Sequence, residues 1–336
     1  MTLPNASLAV IGAGSWGTAL AILLSRAGEN TFLWARDEKK VAAMDQARCN
    51  QRYLPEITFP ASLVLSADLE TVISSSKDIL VVVPSHAFRA TLETLKPVLR
   101  EGQRLAWATK GFEPLTCKLL HEVAADVLGA GISTAVISGP TFAKEVAKGL
   151  PTAVTVASAD QSFAGDLADR LHDDTFRAYT SDDMIGVEVG GCVKNVLAIA
   201  AGIADGLGFG ANTRAALITR GLVEIMRLGD AVGGHRETFM GLAGLGDLVL
   251  TCTDNLSRNR RFGLALGQGL SKDEALASID QVVEGMQAAR EVHTLAAKLA
   301  VEMPIAEQVY QVLYEYKPPK DAVHDLLARQ QKAETF

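Results

Sequence analysis

The feature that most constrains this chain is the run Gly12-Ala13-Gly14-Ser15-Trp16-Gly17, set directly after the short apolar stretch 7–11. A lone G-x-G-x-x-G is weak evidence. Here it leaves an apolar strand, opens a helical stretch over 15–27 with Gly28 placed to end it, and precedes a second β-branched run at 31–35. In that context it reads as the turn of a dinucleotide-binding strand–helix–strand unit. Gly12 permits the tight turn, Gly14 lets backbone approach a pyrophosphate, and Gly17 lets helix and strand pack closely. The helix start then offers unpaired N–H groups and a positive dipole end to phosphate. The bland alternative is a tight turn that binds nothing. At the end of the second strand, an acidic side chain selects the ribose of NAD and an arginine accepts the 2′-phosphate of NADP. Arg36 precedes Asp37, which favours NADP with NAD tolerated; a pair of solvated loop charges is the alternative.

The alternation continues. Strand signals recur at 78–83, 104–109, 134–138 and 153–157, with helical stretches between them such as 87–99 and 115–128. Nearly continuous apolar strands separated by helices imply a mostly parallel sheet covered on both faces. Beyond about residue 181 the strand signals fade. Helical stretches follow at 187–204, 213–231, 272–277 and 287–301, and the glycine-rich stretch 202–210 reads as a break between helices. Asn212 or Thr213 is suited to cap one helix start and Ser271 another. The expectation is an α/β domain over 1–181 followed by an all-α domain over 182–336, and 336 residues are enough for two cores.

Composition excludes several classes. With 48% hydrophobic and 21% charged residues the chain reads as an ordinary globular protein. A net charge of −7 argues against nucleic-acid binding, which needs a basic surface. Cys49, Cys117, Cys192 and Cys252 form no C-x-x-C pair and none sits beside a histidine at metal-ligand spacing, so neither disulfides nor a zinc site are expected. No basic segment precedes the first apolar run, and the run 195–204 is bounded by Lys194 and Asp205. No secretory signal and no clean membrane-length span are therefore expected, which points to a cytoplasmic enzyme without membrane insertion.

Hydride transfer between a nicotinamide and a carbonyl needs an acid–base group, a group that polarises the carbonyl, and a grip on the substrate. Lys110, in Thr109-Lys110-Gly111, ends an apolar strand, and carboxyl ends of such strands face the ligand crevice; a plain surface lysine is the alternative. Pro84-Ser85 ends another strand at the same kind of position, where an ordinary strand exit is the simpler reading. Lys194-Asn195 interrupts an apolar helical stretch among Gly190, Gly191, Cys192, Val193, Val196 and Leu197. Burial disfavours an ammonium and brings a lysine toward proton transfer near neutral pH, which makes Lys194 the acid–base candidate. A lysine that packs its stem and snorkels to water is the other reading. If 244–251 is helical, Asp247 and Thr251 share a face, and Asp247 either holds Lys194 in place or is only a helix-start charge. Ser257-Arg258-Asn259-Arg260-Arg261 is a basic cluster in an acidic chain, suited to gripping phosphate or simply a charged helix face.

Taken together, the residues match a family. The chain resembles the bacterial NAD(P)-dependent glycerol-3-phosphate dehydrogenases across nearly its whole length. The resemblance is carried by G-A-G-S-W-G-T-A-L at Gly12, W-A-R at Trp34, P-S-H at Pro84, A-T-K-G at Ala108, S-G-P-T-F-A-K-E-V at Ser138 and V-K-N at Val193. It continues through G-L-A-G-L-G-D-L-V-L-T-C at Gly241, S-R-N-R-R-F-G at Ser257 and V-V-E-G at Val282. It implies an N-terminal Rossmann-like domain, a helical C-terminal domain and an active site between them. It implies Lys194 as general acid–base, with Lys110 and Asp247 as its electrostatic partners. It implies substrate contacts at Gly139, Thr141, Ser257, Arg258 and Asn259, with Asn195 and Thr251 beside the reacting centre. Cofactor contacts are implied at Ser15, Trp16, Arg36, Ala143, Val282 and Glu284, with Arg258 and Lys110 near the cofactor as well. The substrate implied is a small phosphorylated three-carbon compound, and the product glycerol 3-phosphate would feed phospholipid synthesis. A homodimer is the default expectation for such an enzyme. Two rivals stand beside this reading: a two-domain hydroxy-acid dehydrogenase, and a dinucleotide sensor without catalysis.

Overall fold

In the computed structural model, which describes residues 6–279 and 281–330, the apolar runs of the first half lie side by side in one sheet. Its strands are β1 (Ala6–Ile11), β2 (Thr31–Trp34), β3 (Val64–Ser66), β4 (Ser76–Val81), β5 (Arg104–Trp107), β6 (Thr134–Ser138), β7 (Thr152–Ala157) and β8 (Phe176–Ser181). The order is β3-β2-β1-β4-β5-β6-β7-β8. Strands β1 to β6 run parallel, whereas β7 is antiparallel to β6 and parallel to β8. The connecting helices are α1 (Ser15–Arg26), α2 (Glu38–Ala47), α3 (Leu69–Ser74), α4 (Ser85–Leu95), α5 (Leu120–Leu128), α6 (Ala143–Lys148) and α7 (Gln161–Leu171). Strands buried on both faces carry no polar alternation. Val10 and Ala106 pack into one cluster with Leu20 and Leu23 of α1, while Trp107 points the other way and meets Phe88 of α4 edge-on at 5.5 Å.

Sequence pattern alone missed β3 and β8. The first is a three-residue, half-buried strand whose apolar run 63–65 is too short to stand out, and the second lies at the sheet edge with exposed Arg177, Tyr179 and Thr180 and shows no apolar run. The helix expected over 115–128 begins only at Leu120, because Leu115 and Cys117 adopt left-handed backbone with φ of 70° and 56°.

The chain clusters into two compact units. The first ends at Lys110 and resumes over Leu120–Met184; the second takes Gly111–Leu119 and resumes at Ile185. A single cut near 182 is thus corrected by an excursion. Its cause is apolar: Phe112, Cys117 and Leu119 are buried in the second unit's core with Cys192 and Val196.

The second unit is helical: α8 (Met184–Gly206), α9 (Ala211–Ala231), α10 (Arg236–Phe239), α11 (Asp247–Thr253), α12 (Arg258–Gly267), α13 (Lys272–Ala277), α14 (Glu284–Leu299), α15 (Pro304–Tyr314) and α16 (Pro319–Leu327). Helix α8 is long and apolar enough to span a bilayer by length and composition, contrary to the sequence expectation, but its apolar window is 83% buried within the protein. It is a core helix. The expected break falls at 207–210, while Gly202 and Gly206 lie inside the helix. A Cβ on Gly202 would lie 2.0 Å from the Arg260 carbonyl oxygen, and one on Gly263 would lie 2.1 Å from that of Ile199. These glycines let α8 and α12 cross with their backbones in contact. Helix α9 starts from Gly210 with no side-chain cap, so neither Asn212 nor Thr213 is the cap. Ser271 does cap α13, in a reciprocal capping box with Glu274.

Candidate active site

Strand order reverses at β1, with β2 on one side and β4 on the other. Ligands bind outside the carboxyl ends of parallel strands at such a switch point. Four loops leave the sheet at that edge: Gly12 follows β1, Pro84 follows β4, Lys110 follows β5, and Gly139 follows β6. Gly12 has φ +119°, and a Cβ there would sit 2.4 Å from the Val82 carbonyl oxygen. A Cβ on Gly17 would sit 1.9 Å from the Gly12 carbonyl oxygen, so helix and turn touch there. A Cβ on Gly14 would meet nothing within 4 Å. Gly14 also starts α1 without a side-chain cap, which leaves the first-turn N–H groups of Ser15, Trp16 and Gly17 without an acceptor within the helix. Asn50, buried and unmarked by any sequence motif, braces the loop by donating from Nδ2 to the Ala13 carbonyl at 3.1 Å and the Thr18 hydroxyl at 2.9 Å.

Lys110 Nζ donates to the Gly139 carbonyl at 3.2 Å, and the Thr141 hydroxyl donates to the same oxygen at 3.2 Å. Lys110, Gly139 and Thr141 are therefore brought together in the first unit, with Ala143 opening α6 just beyond.

The second unit builds a separate cluster. A Cβ on Gly190 would lie 2.4 Å from the Ala243 carbonyl oxygen, so α8 and the segment before α11 touch backbone to backbone. One turn further along each, Lys194 and Asp247 face one another. Lys194 Nζ lies 2.6 Å from Asp247 Oδ1 and donates to the Thr251 hydroxyl at 3.0 Å. That hydroxyl in turn donates to the Asp247 carbonyl at 2.6 Å. Asp247 is fully buried, Lys194 and Thr251 nearly so.

Beside Lys194, Asn195 Oδ1 accepts from Asn259 Nδ2 at 2.9 Å, and Asn259 Oδ1 accepts from the Gly285 N–H at 2.9 Å. This amide relay fixes the Asn195 orientation and leaves its buried Nδ2 without a hydrogen-bond partner. Ser257 caps α12 through the Arg260 N–H, and Arg258 Nη1 donates to Gln281 Oε1 at 3.2 Å. Val282 is exposed next to that contact and Glu284 opens α14. The second unit thus gathers Lys194, Asn195, Asp247 and Thr251 with Ser257, Arg258, Asn259, Val282 and Glu284.

Comparison with known proteins decides the family. Residues 7–164 match the model of the NAD-dependent glycerol-3-phosphate dehydrogenase N-terminus, and residues 183–324 match that of its C-terminus. The chain belongs to the NAD-dependent glycerol-3-phosphate dehydrogenase family. It is 58% identical over 329 residues to the glycerol-3-phosphate dehydrogenase [NAD(P)+] of Photobacterium profundum, covering 98% of this chain and 97% of that one. It is 59% identical over 330 residues to the enzyme of the same name from Colwellia psychrerythraea, covering 98% and 99%. The crystal structure of glycerol-3-phosphate dehydrogenase from Coxiella burnetii superposes with a TM-score of 0.93 at 52% identity, covering 97% of this chain and 99% of that one.

For a glycerol-3-phosphate dehydrogenase the residues present fit a dinucleotide. The open cradle at Gly14 admits a pyrophosphate where any larger side chain would fill the space. The buried Nε1 of Trp16 and the Ser138 hydroxyl have no hydrogen-bond partner within the protein. At the end of β2, Asp37 is engaged as the cap of α2. It accepts from the Lys40 N–H at 3.1 Å and pairs with Lys40 Nζ at 3.3 Å, and these contacts hold its carboxyl below the usual range. Arg36 is exposed at the same strand end.

Proposed function

We propose that this chain interconverts dihydroxyacetone phosphate and sn-glycerol 3-phosphate, taking NADP in preference to NAD. The observation that carries the reading is the buried Lys194–Asp247–Thr251 cluster, tied through Asn195 and Asn259 to the Arg258 end of α12. A bound reduced nicotinamide supplies the hydride. In reduction, Lys194 as ammonium gives a proton to the oxygen of the reacting carbon as that carbon takes the hydride. In oxidation, the neutral amine removes the hydroxyl proton. Asp247 stabilises the ammonium, and Thr251 fixes its direction by accepting one of its hydrogens. Lys110, held on the Gly139 carbonyl, keeps a positive charge at the carboxyl end of β5. The Asn195 Nδ2 donor is the group ready to bond a substrate oxygen. Ser257, Arg258 and Asn259 grip the phosphate dianion, an arginine fork flanked by neutral donors at a helix start. Arg36 accepts the 2′-phosphate because Asp37, the acid that follows it at that strand end, is occupied by α2. The proposal extends to a cytoplasmic homodimer that feeds phospholipid synthesis.

The test is the loss of reduced-nicotinamide absorbance on adding dihydroxyacetone phosphate, with NADPH and NADH in parallel. Rapid oxidation, with a higher kcat/KM for NADPH that Arg36→Ala abolishes, is the expected result. Cofactor binding without oxidation overturns the substrate assignment.

A further inference from the structure

We propose that Asp205 and Arg260 position the phosphate clamp and set its strength. The inference rests on the reading of Ser257, Arg258 and Asn259 as that clamp. Arg260 follows Asn259 on the first turn of α12, and its guanidinium is buried. Nη2 pairs with Asp205 Oδ2 and Nη1 bonds Asn255 Oδ1. Asp205 Oδ2 also accepts from Arg214 Nη1 at 3.1 Å. One carboxylate therefore joins the last turn of α8, the first turn of α9 and the first turn of α12, and Arg260 extends the link to the loop that precedes α12.

A buried guanidinium committed to a carboxylate is a strut and not a ligand group. That separates Arg260 from its neighbour Arg258, whose Nη1 bonds the neutral amide of Gln281. The strut has a geometric task. Asn195 and Asp205 are ten residues apart on α8, roughly 15 Å at 1.5 Å per residue. The consecutive residues Asn259 and Arg260 reach one point each. Between these points the helices meet through Gly202 and Gly263, which permit close contact but have no side chain to fix an orientation. Both tethers leave the first turn of α12 and reach α8 at points ten residues apart, which stops the start of α12 from rolling or sliding on the smooth crossing. The residues at its start then keep their direction relative to Lys194. Two guanidiniums around one carboxylate also leave net positive charge behind the clamp, which favours a phosphate dianion.

The experiment compares dihydroxyacetone phosphate with dihydroxyacetone, which lacks the phosphate, in wild type, Asp205→Asn, Arg260→Lys and Asn255→Ala. Asn255 is exposed, so its replacement keeps the fold if the buried changes do not. A misaligned clamp is expected to lower kcat/KM for the phosphorylated substrate by about tenfold or more, through KM, since ångström misplacements carry penalties of that order. The loss on dihydroxyacetone is expected to be several times smaller, about twofold to threefold, and Asn255→Ala shifts the ratio in the same direction by less. Equal proportional losses on both substrates in Asn255→Ala and in whichever buried variant folds would overturn the positioning role. A wild-type protein that binds NADPH but fails to reduce dihydroxyacetone phosphate would instead overturn the function on which it rests.

Discussion

At the scale of single residues, the decisive question is what a lysine gains from sitting inside an apolar helix. Lys194 loses hydration on burial, and Asp247 at 2.6 Å with Thr251 at 3.0 Å replaces it. Breaking such a pair costs more than forming it returns, because the partner is left charged and buried. Lys194→Ala is therefore expected to do two things. It lowers kcat by about 10²–10⁴ through loss of the general acid. It also lowers stability by about 3–5 kcal/mol, since Asp247 stays fully buried without its cation. Cofactor affinity is expected to hold, because Lys194 is not among the proposed dinucleotide contacts. Turnover near the wild-type rate, or a lost cofactor site in a folded variant, would remove Lys194 from the proposed role. Much of this cluster was legible in sequence. A lysine among small apolar neighbours is conspicuous, and the Asp247–Thr251 spacing is a helical one. The Asn195–Asn259–Gly285 relay and the Asn50 brace were not legible, since each joins residues far apart in sequence with no local signature.

At the scale of elements, glycine misled the sequence reading because its two uses look alike in a string. The stretch 202–210 read as a helix break, and the break does fall there, but only at 207–210: Gly202 and Gly206 lie inside α8. What decides is the neighbour. Replacing a helical glycine with alanine is favourable by about 1 kcal/mol on propensity alone. Gly165 in α7 has nothing within 4 Å of where an added methyl would stand, so Gly165→Ala is expected to stabilise by about that amount. At Gly263 the methyl would lie 2.1 Å from a carbonyl oxygen, and overpacking of about 1–3 kcal/mol or more outweighs propensity. Urea midpoints moving in opposite directions for the two variants are the expected result; a stabilised Gly263→Ala would mean the helices do not cross as described.

Helix α15 carries an element-scale pH dependence. Glu224 on α9 accepts from the Ile305 N–H at 2.6 Å and the Ala306 N–H at 3.1 Å, so it caps α15 from a neighbouring helix. Burial pushes its carboxyl up to about 7 despite those bonds. In the unfolded chain a glutamate titrates near ~4.3. Between these values the folded protein keeps the proton that the unfolded chain has released. Stability from this group is thus present at low pH, falls as pH rises from about 4.3 to about 7, and stays flat above. Glu224→Gln is expected to be less stable at low pH, with one carbonyl acceptor for two N–H donors, and to lack this slope. An unchanged slope in the variant would assign the pH dependence to other groups.

At the scale of the whole molecule, the alternating first half and helical second half forecast the two architectures. The crossing points of the chain were not forecast. The excursion Gly111–Leu119 follows from where Phe112 finds its apolar partners, a tertiary fact that no local pattern carries. The proposed pyrophosphate cradle at Gly14 belongs to one unit and the Lys194 cluster to the other, so cofactor binding should register as added stability even where catalysis is lost. At a free concentration of about 100 times Kd, a ligand that binds only the folded state adds about 2.7 kcal/mol. For a unit of this size that corresponds to roughly 5–10 °C in Tm. Gly14→Val isolates the effect. The backbone at Gly14, with φ −73°, is open to any residue, and the Cβ of a side chain there meets no protein atom within 4 Å, so the ligand-free Tm should stay near wild type. The same side chain occupies the space a pyrophosphate needs, so the NADPH-dependent rise in Tm should vanish. A retained rise would show that the phosphates bind away from Gly14. A lowered ligand-free Tm would show that the cradle is packed by protein and not left open for a cofactor.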